Sequence, residues 1–478
     1  MNTSLNAHRR AEDLHAVQEE VVDVLVVGGG VTGAGVALDA ASRGLSVCLL
    51  EAHDLAYGTS RWSSKLVHGG LRYLAQGDVA LAHESAVERG ILMTSTAPHL
   101  VRALPMLFPL HGKDNGMRIM AGLRAGDLLR RAARTPSAVL PGPRRVPAAE
   151  ASALVPGLRS TGLRGGLLSF DGQLVDDARL VVALARTAAG LGARIITRAR
   201  VTTLTGSGAS AVDGVSGDSF SVRARSVINA SGVWAGQLVP SVRLRPSLGS
   251  HLVLDAAATG IVGTAVMFPV PGERNRFAML LPQRNGRVYL GLTDSPVDWP
   301  VPDVVPVPSA DVDFLLSVTS QVLRVGLTRA DVLGSYAGLR PLLDAPGSTA
   351  DLSRRHAVLT APNGVVTIVG GKLTTYRRMA SDAVDAVGLA SGPSRTASLR
   401  LVDDSARVAA LSDVDSSLGA EIMCGVTGAD VVWAVRHEGA LDAGDVLDRR
   451  TRIGLVPADR AAAEPVVADL VSRSLAGL

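Results

Sequence analysis

Cysteine is scarce in this chain, and its scarcity restricts what the protein can be. Among 478 residues there are two cysteines, Cys48 and Cys424, which lie far apart in the sequence. Two distant thiols exclude a disulfide framework and a thiolate metal cluster, and we predict no metal site. Because Cys48 falls within an apolar strand-like run, the pattern is typical of a reducing compartment, and we expect a cytoplasmic protein.

Long apolar runs and sustained charge of one sign are also missing. No uninterrupted apolar stretch approaches the ~20 residues that a membrane-spanning helix needs. The formal net charge is only +4, without a sustained basic tract, which argues against nucleic acid as the main partner. Residues 1–20 are polar and of mixed charge, and Arg9-Arg10 lacks the apolar segment of a twin-arginine signal. We therefore predict a soluble N-terminal extension.

Lysine is rarer than the basic content suggests. Of 48 basic residues only three are lysines: Lys65, Lys113 and Lys372. A composition that uses arginine so widely indicates that a retained lysine serves as a compact, titratable ammonium. Lys65 and Lys372 both fall in glycine-rich motifs, which makes them candidate functional residues.

A nucleotide-binding pattern occupies residues 23–51. A short β-branched run, Val24–Val27, predicts a buried parallel strand and leads into a glycine turn. The turn contains G-x-G-x-x-G as Gly28, Gly30 and Gly33, with Thr32 between the last two. A helix-like segment, a second apolar strand and Glu51 follow.

Each part of this pattern has a physical role in binding a dinucleotide. Gly28 permits a tight turn, Gly30 lets the backbone approach a pyrophosphate, and Gly33 lets the helix pack closely on the strand. The helix N-terminus offers N–H groups and a positive dipole end to the phosphates. Glu51 is placed to bind ribose hydroxyls and would repel a 2′-phosphate. The pattern alone leaves FAD and NAD open.

Three further stretches expose backbone or short polar side chains. Residues 54–73 carry Thr59, Ser60, Ser63, Ser64 and Gly69-Gly70, which suit a long ligand lying against the chain, although an ordinary serine-capped loop is the alternative. Residues 227–235 predict a strand, a glycine turn and a helix start. Residues 365–377 repeat that order around Gly370-Gly371, and their N–H groups can stabilise a developing anion.

The segment 117–134 forms a possible basic amphipathic helix. Met117, Met120 and Leu123 share one helical stripe, and five arginines supply charge. Such a helix could lie on an anionic membrane surface, but a solvated surface helix is the reading we favour, because Gly122 and Gly126 weaken the helix.

The order of elements predicts an α/β fold. We expect a Rossmann-like dinucleotide-binding domain, a mixed β-sheet substrate or cap domain and a C-terminal helical domain. The predicted ranges are 1–20 for the N-terminal extension, 21–97, 166–240 and 334–396 for the discontinuous dinucleotide-binding domain (the FAD-binding domain of the resemblance given next), 98–165 and 241–333 for the cap domain, and 397–478 for the helical domain.

Together these motifs resemble the FAD-dependent glycerol-3-phosphate dehydrogenases, within the D-amino-acid-oxidase-like flavoproteins. The resemblance covers most of residues 21–395. It is carried by SSKLVHGGLRYL (63–74), DDARLV (176–181), GSHLVL (249–254), GLTD (291–294), YAGLRPL (336–342) and VGGKLTTYR (369–377). The tail, 431–455, looks like the family's C-terminal helical domain, shortened just before Glu421.

The resemblance implies a function and a site. The cofactor is expected to be FAD and the substrate sn-glycerol 3-phosphate, oxidised to dihydroxyacetone phosphate by hydride transfer from C2 to flavin N5. The implied substrate-binding residues are Arg72, Tyr73, Arg340, Arg354 and Lys372, and the implied catalytic residues are Arg340, His251 and Lys372. The implied cofactor-binding residues are Gly28, Gly30, Thr32, Gly33, Glu51, Thr59, Ser60, Ser63, Ser64, Lys65, His68, Gly69, Val201, Ala230, Gly232, Trp234, Gly371, Lys372, Leu373 and Thr374.

The proton acceptor stays open. His251 suits a base because histidine titrates near neutral pH, and a bound water is the other candidate. Arg340 could instead stabilise the incipient alkoxide. Lys372 and the N–H groups beyond Gly371 would stabilise the reduced flavin. One departure from the family is Arg355, which stands where the family has an acidic residue.

Several alternatives remain at this point. The family's usual electron acceptor is membrane quinone, which implies peripheral contact with the inner membrane face, but an oxygen-using glycerol-3-phosphate oxidase is the alternative. An amine or amino-acid oxidase of the same fold would need one carboxylate-binding arginine rather than several cations. A flavin-binding protein without turnover is the third alternative. A homodimer is left open.

Overall fold

The computed structural model describes residues 2–75, 77–112, 116–273, 276–297, 300–344 and 355–477. The strands in the described part of the chain follow in order. They are β1 Val21–Val27, β2 Val47–Leu50, β3 Leu66–Val67, β4 Val101–His111, β5 Arg144–Val146, β6 Leu163–Leu174, β7 Arg194–Ile196, β8 Ala199–Thr205, β9 Gly208–Asp213, β10 Ser219–Asn229, β11 Ser247–Asp255, β12 Ala265–Pro269, β13 Phe277–Pro282, β14 Arg287–Gly291, β15 Ser295–Pro296, β16 Gly334–Arg340, β17 His356–Thr360, β18 Val366–Gly370, β19 Glu421–Met423 and β20 Val426–Thr427.

The helices surround these strands. They are α1 Ala7–Glu19, α2 Val31–Ser42, α3 Leu71–Ala75, α4 Val79–Ile91, α5 Met117–Ala132, α6 Ala148–Leu154, α7 Asp177–Gly190, α8 Ala235–Leu238, α9 Ala256–Thr259, α10 Ser309–Thr319, α11 Tyr376–Ala386, α12 Ser405–Val414, α13 Gly428–His437, α14 Ala443–Asp445 and α15 Pro457–Ala476.

The first sheet is the nucleotide-binding sheet that the sequence predicts. Its strand order is β17-β18-β10-β1-β2-β7, with β8 and β9 added beside β10. The strands β18, β10, β1, β2 and β7 run parallel. Because β1 and β2 are buried on both faces, they read as continuous apolar runs rather than alternating ones. The carboxyl ends of β1, β2, β10 and β18 therefore meet at one edge, where a ligand binds in such sheets.

The second sheet is mixed and larger. Its order is β15-β11-β14-β13-β12-β4-β6-β3, with β16 paired to β11 and β5 paired to β6. The structure places β3, most of β6 and β16 in this sheet, although the predicted ranges assign those residues to the FAD-binding domain. Strand periodicity shows which residues are extended, but it does not show which sheet a strand joins.

Three apolar layers hold these parts together. Helices α2, α7 and α11 cover one face of the first sheet, and residues of α1, α8, β8 and β9 pack on the other. Helix α10 packs on the second sheet. Helices α13 and α15 form a separate C-terminal core.

The N-terminal segment is packed rather than extended into solvent. The Arg10 guanidinium is buried and donates to Asp213 at 2.5 Å, while Leu5 bridges to Glu438 in the C-terminal region. Within the described residues, no helix is both long enough and apolar enough to cross a bilayer.

Candidate functional site

A large cavity opens where the two sheets meet. Its volume is about 1220 Å³, which exceeds the range of about 300–1,000 Å³ typical of ligand pockets. The carboxyl-end turns of the first sheet form one part of its wall, and strands of the second sheet form the other. The space is large enough for a dinucleotide together with a small substrate.

The turn after β1 leaves no room for side chains. Gly28 has φ +109°, and a Cβ there would lie 2.6 Å from the Ala230 carbonyl oxygen. At Gly30, which caps α2, a Cβ would lie 3.0 Å from Ser60 Oγ, and that oxygen accepts a hydrogen bond from Val31 N at 2.9 Å. The backbone of this turn therefore faces the cavity directly, as binding of a pyrophosphate requires.

Glu51 lies at the end of β2 on the same wall. Its carboxylate accepts from Gly29 N at 2.6 Å and from His53 N at 2.8 Å, so its orientation is fixed. Burial raises the pKa of Glu51, and the two backbone donors counteract that effect. A carboxylate held this way retains acceptor capacity for ribose hydroxyls, so the residues present fit an adenine dinucleotide.

Most of the predicted residues line this cavity. Those predicted for the cofactor are Gly28, Gly30, Thr32, Glu51, Thr59, Ser60, Ser63, Ser64, His68, Val201, Ala230, Gly232, Trp234, Gly371, Lys372, Leu373 and Thr374, and those predicted for the substrate or catalysis are Tyr73, His251, Arg340 and Lys372. The other three predicted cofactor residues, Gly33, Lys65 and Gly69, are not among the residues that line the cavity.

Gly33 and Gly69 are packing positions rather than cavity positions. A Cβ at Gly33 would lie 1.8 Å from the Gly28 carbonyl oxygen, so this glycine lets α2 approach the turn, as the sequence predicts. A Cβ at Gly69 would lie 2.3 Å from the Arg89 guanidinium. Neither position has room for a side chain, and a contact of either backbone with the cofactor stays a prediction.

The Lys65 side chain lies in the protein interior. Its ammonium is buried, donates to Asp177 Oδ1 and to the Arg61 carbonyl at 2.7 Å each, and does not line the cavity. Burial, with the charge of Arg452, lowers the pKa of Lys65 to about 8. The lysine that the composition singles out is thus an interior ion-pair partner.

Arg340 is held at the cavity by the second sheet. Its guanidinium donates to Ser247 Oγ at 3.1 Å and to the Thr293 carbonyl at 3.2 Å, and it lies 3.6 Å from Asp294 Oδ1. A Cβ at Gly249 would lie 2.3 Å from this guanidinium, which explains the glycine of the GSHLVL motif. Strand pairing orients the Arg340 guanidinium, and one side of it stays exposed to the cavity.

Lys372 approaches the cavity from the first sheet. Gly370 and Gly371 have φ of +78° and +71°, and the chain turns there from β18 toward α11. The Lys372 ammonium donates to Ser85 Oγ at 2.5 Å and lies 4.0 Å from the centroid of the Tyr73 ring. Lys372 and Arg340 therefore contribute two cations to one cavity from different sheets.

His251 does not have the protonation behaviour that the sequence suggests. It is 1 % exposed, stacks on Tyr336 with ring centroids 4.7 Å apart, and shares a hydrogen bond with Ser64 Oγ at 2.8 Å. Burial, followed by the charges of Lys65 and Arg340, lowers the pKa of His251 to about 3. The expectation of titration near neutral pH is therefore wrong, because the site removes water and adds positive charge.

His68 has the environment that His251 lacks. Its Nδ1 lies 2.9 Å from Asp171 Oδ2, and Asp171 also accepts from Arg89 at 2.6 Å. The His68 side chain is 47 % exposed and lines the cavity. A carboxylate on Nδ1 fixes the ring and directs Nε2 as an acceptor. Sequence analysis places His68 with the cofactor and misses Asp171, which lies far from it along the chain.

Arg354 and the side chain of Arg72 lie outside the described residues. The neighbouring departure from the family, Arg355, pairs with Asp78 through contacts of 2.8, 3.0 and 3.2 Å. Asp78 caps the N-terminus of α4, so Arg355 links β17 to that helix.

Helix α5 contributes residues that sequence analysis does not assign to the site. Arg118, Ile119, Gly122 and Leu123 line the cavity, while Met117 is 67 % exposed. Of the predicted apolar stripe, Leu123 lines the cavity and Met117 and Met120 do not, so the stripe indicates the helix but not its cavity face. The preferred solvated surface helix is thus only half correct, because one face of α5 closes the cavity.

The chain matches two protein families over most of its length. Residues 23–377 match the family described as FAD dependent oxidoreductase, and residues 395–476 match the C-terminal domain of alpha-glycerophosphate oxidase. The chain is 48% identical to glycerol-3-phosphate dehydrogenase 1 of Mycobacterium tuberculosis, over 99% of each protein. It is 34% identical to the aerobic glycerol-3-phosphate dehydrogenase of Bacillus subtilis, over 81% of this chain and 70% of that protein.

Two solved structures share the fold of this chain. The glycerol-3-phosphate dehydrogenase from Bacillus halodurans, complexed with FAD, is similar with a TM-score of 0.73 and 26% identity, over 99% of this chain and 96% of that one. The L-alpha-glycerophosphate oxidase of Mycoplasma pneumoniae has a TM-score of 0.60 at 19% identity, over 80% of this chain and 100% of that one, and shares the fold.

Proposed function

Because the chain belongs to the FAD-dependent oxidoreductase family, we propose that it oxidises sn-glycerol 3-phosphate to dihydroxyacetone phosphate with FAD bound in the cavity between its sheets. The observation that carries this proposal is the convergence of Arg340 and Lys372 on the cavity that also contains the nucleotide turn. When bound, FAD supplies the two-electron acceptor. Gly28, Gly30 and Glu51 would hold its adenosine and pyrophosphate part.

The two cavity cations, Arg340 and Lys372, are the reason for proposing a phosphomonoester as the substrate. Such an ester carries nearly two negative charges near neutral pH, and a forked guanidinium binds it through paired, charge-assisted hydrogen bonds. Arg340 supplies the fork, and Lys372 supplies a compact second charge beside the Tyr73 ring. An amino-acid substrate would need only one of these cations, so the pair favours the phosphate ester.

The proton of the C2 hydroxyl needs an acceptor, and we assign this role to His68. With its pKa near 3, His251 is a poor base at neutral pH, although its neutral ring can still orient a hydroxyl. His68 reaches the same cavity with Asp171 behind it, the arrangement that stabilises an imidazolium once it forms.

Anaerobic mixing with glycerol 3-phosphate tests the substrate. We expect the yellow flavin to be bleached by glycerol 3-phosphate and to remain oxidised with glycine or other amino acids. Arg340→Ala should retain FAD but need about 10–100-fold more substrate, since a charge-assisted hydrogen bond contributes about 1.5–3 kcal/mol. Arg329→Ala is the control, because Arg329 is exposed and pairs with Asp313 outside the cavity wall.

We further propose that the electrons pass to a membrane quinone. Helix α5 supports this, because it borders the cavity with one face and presents Leu128, 64 % exposed, together with exposed arginines on the other. Oxygen is the second candidate, favoured by the match to an oxidase C-terminal domain. Rapid peroxide release from the reduced protein in air would favour oxygen, and slow reoxidation in air with fast quinone turnover would favour quinone.

A further inference from the structure

The short segment Arg61–Lys65 connects the cavity wall to the interior. Ser64 Oγ lies 2.8 Å from His251 Nε2, and the Ser63 carbonyl accepts from the Tyr336 hydroxyl at 3.0 Å. The Tyr336 ring stacks on His251. Strand β3 follows directly and ends at Val67, next to His68, so a shift of this segment would move groups at both cavity histidines.

The inner side of this segment contacts a residue from the far end of the chain. The Arg452 guanidinium is buried, and its Nη2 donates to the Arg61 carbonyl at 2.8 Å. Its Nε lies 3.1 Å from Asp176 Oδ2, and its centre lies 5.3 Å from the Trp62 ring centroid. Nη1 donates to the Asp448 carbonyl at 2.9 Å, which anchors Arg452 in the C-terminal region.

A second set of contacts holds the inner side of the Arg61–Lys65 segment. Asp177 accepts from Ser63 N at 2.9 Å and from Lys65 Nζ at 2.7 Å, and Lys65 Nζ also donates to the Arg61 carbonyl. The carbonyl of Arg61 is therefore shared by two buried cations, one from the segment itself and one from the C-terminal region. Ions buried in this way need several well-aligned partners, so their positions are strongly coupled.

We propose that Arg452 is a positioning residue for the active site. Its guanidinium fastens the Arg61–Lys65 segment to Asp176 and to the C-terminal helical region, and thereby holds Ser64 against His251. In this arrangement the C-terminal region acts on the reaction without reaching the cavity, since Arg452 is not among the residues that line it. The effect on the reaction rests on the proposed oxidation of glycerol 3-phosphate, whereas the bracing of the segment does not.

The test compares Arg452→Met with Arg450→Met. Arg450 is an equally buried neighbour whose hydrogen bonds in the described structure go to Asp54 and the Glu438 carbonyl rather than to the Arg61–Lys65 segment. Both changes remove a buried guanidinium from the same interface, so both should lower Tm. Only Arg452→Met should speed amide hydrogen exchange in residues 61–68, measured on the full chain with and without FAD.

Kinetics supply the second readout. In Arg452→Met we expect anaerobic flavin reduction at saturating glycerol 3-phosphate to slow about tenfold or more, with KM changed less than about threefold. Arg450→Met should stay within about twofold of the wild-type rate. Arg452→Lys keeps the charge but not the fork, so it should give an intermediate rate and serves if the methionine variant does not fold.

Two outcomes overturn the proposal: unchanged exchange in residues 61–68 for both Arg452 variants, or equal rate losses in the Arg450 and Arg452 variants. If glycerol 3-phosphate fails to reduce the wild-type flavin, the proposed function fails. Hydrogen exchange alone then decides whether Arg452 braces the segment.

Discussion

At the scale of single residues, the two cavity histidines differ in what surrounds them. His251 has an aromatic ring on one face, a serine hydroxyl at Nε2 and cations nearby, and it is almost fully buried. His68 has a carboxylate at Nδ1 and a partly exposed ring. A sequence contains both as equivalent letters, whereas burial and neighbouring charge separate their chemistry.

Replacing each histidine with glutamine should separate their roles. We expect His68→Gln to slow flavin reduction by about 10²–10⁴-fold, the usual contribution of a general base. Because His251 is already neutral well above pH 3, His251→Gln should leave the pH dependence of kcat/KM between pH 5 and 8 unchanged in shape. The measurement is stopped-flow reduction across that range with FAD content checked for each variant. Loss of the acid limb in His251→Gln alone would contradict the assignment.

At the scale of elements, the turn between β1 and α2 combines backbone strain with close approach. Gly28→Ala would add a Cβ in the left-handed region and 2.6 Å from a carbonyl oxygen. Gly44 follows α2 with φ +86°, but a Cβ there would meet nothing within 4 Å. Both glycines therefore have a positive φ that other residues rarely adopt, but only Gly28 also lacks the space for a Cβ.

We predict that Gly28→Ala loses bound FAD, while Gly44→Ala retains it at a stability cost of about 1 kcal/mol. Flavin absorbance after purification and thermal unfolding measure the two effects. Retention of stoichiometric FAD by Gly28→Ala would show that the turn can shift to accommodate a methyl group.

The sequence predicted those elements whose formation depends on neighbouring residues alone. The G-x-G-x-x-G turn and the strands around it follow from periodicity and φ requirements, and the structure contains them. The role of Lys65 could not be predicted in the same way. Its partner Asp177 comes from another helix, and Arg452 comes from another domain, so only the tertiary fold brings these charges together.

At the scale of the whole molecule, one edge combines the cavity with exposed apolar and basic side chains. Met117, Leu128 and Val79 are 67, 64 and 55 % exposed, and Leu71 packs against Gly126 at the junction of α3 and α5. Apolar side chains among arginines suit the interface of an anionic bilayer. The mouth of the cavity would then face the layer in which a quinone dissolves.

We predict that the protein sediments with anionic phospholipid vesicles and less with neutral ones, and that salt weakens this binding. Met117→Glu with Leu128→Glu should reduce both vesicle binding and quinone turnover while leaving turnover with a soluble dye acceptor intact. Val215→Glu is the control, since Val215 is 64 % exposed in the turn between β9 and β10 and does not line the cavity. An equal loss of vesicle binding in the control, or no loss in the double variant, would show that α5 does not contact the membrane.

The buried ion pairs at the C-terminal boundary also have a consequence for biosynthesis. Asp54 and Asp176 are synthesised early, but Arg450 and Arg452, which pair with them, follow much later in the chain. Until then, the nascent nucleotide-binding sheet carries interior carboxylates without these two partners. Maturation of the flavin pocket is therefore tied to synthesis of the segment that carries Arg450 and Arg452, and a product terminated before that segment would remain a substrate for chaperones or proteases instead of becoming a partly active enzyme.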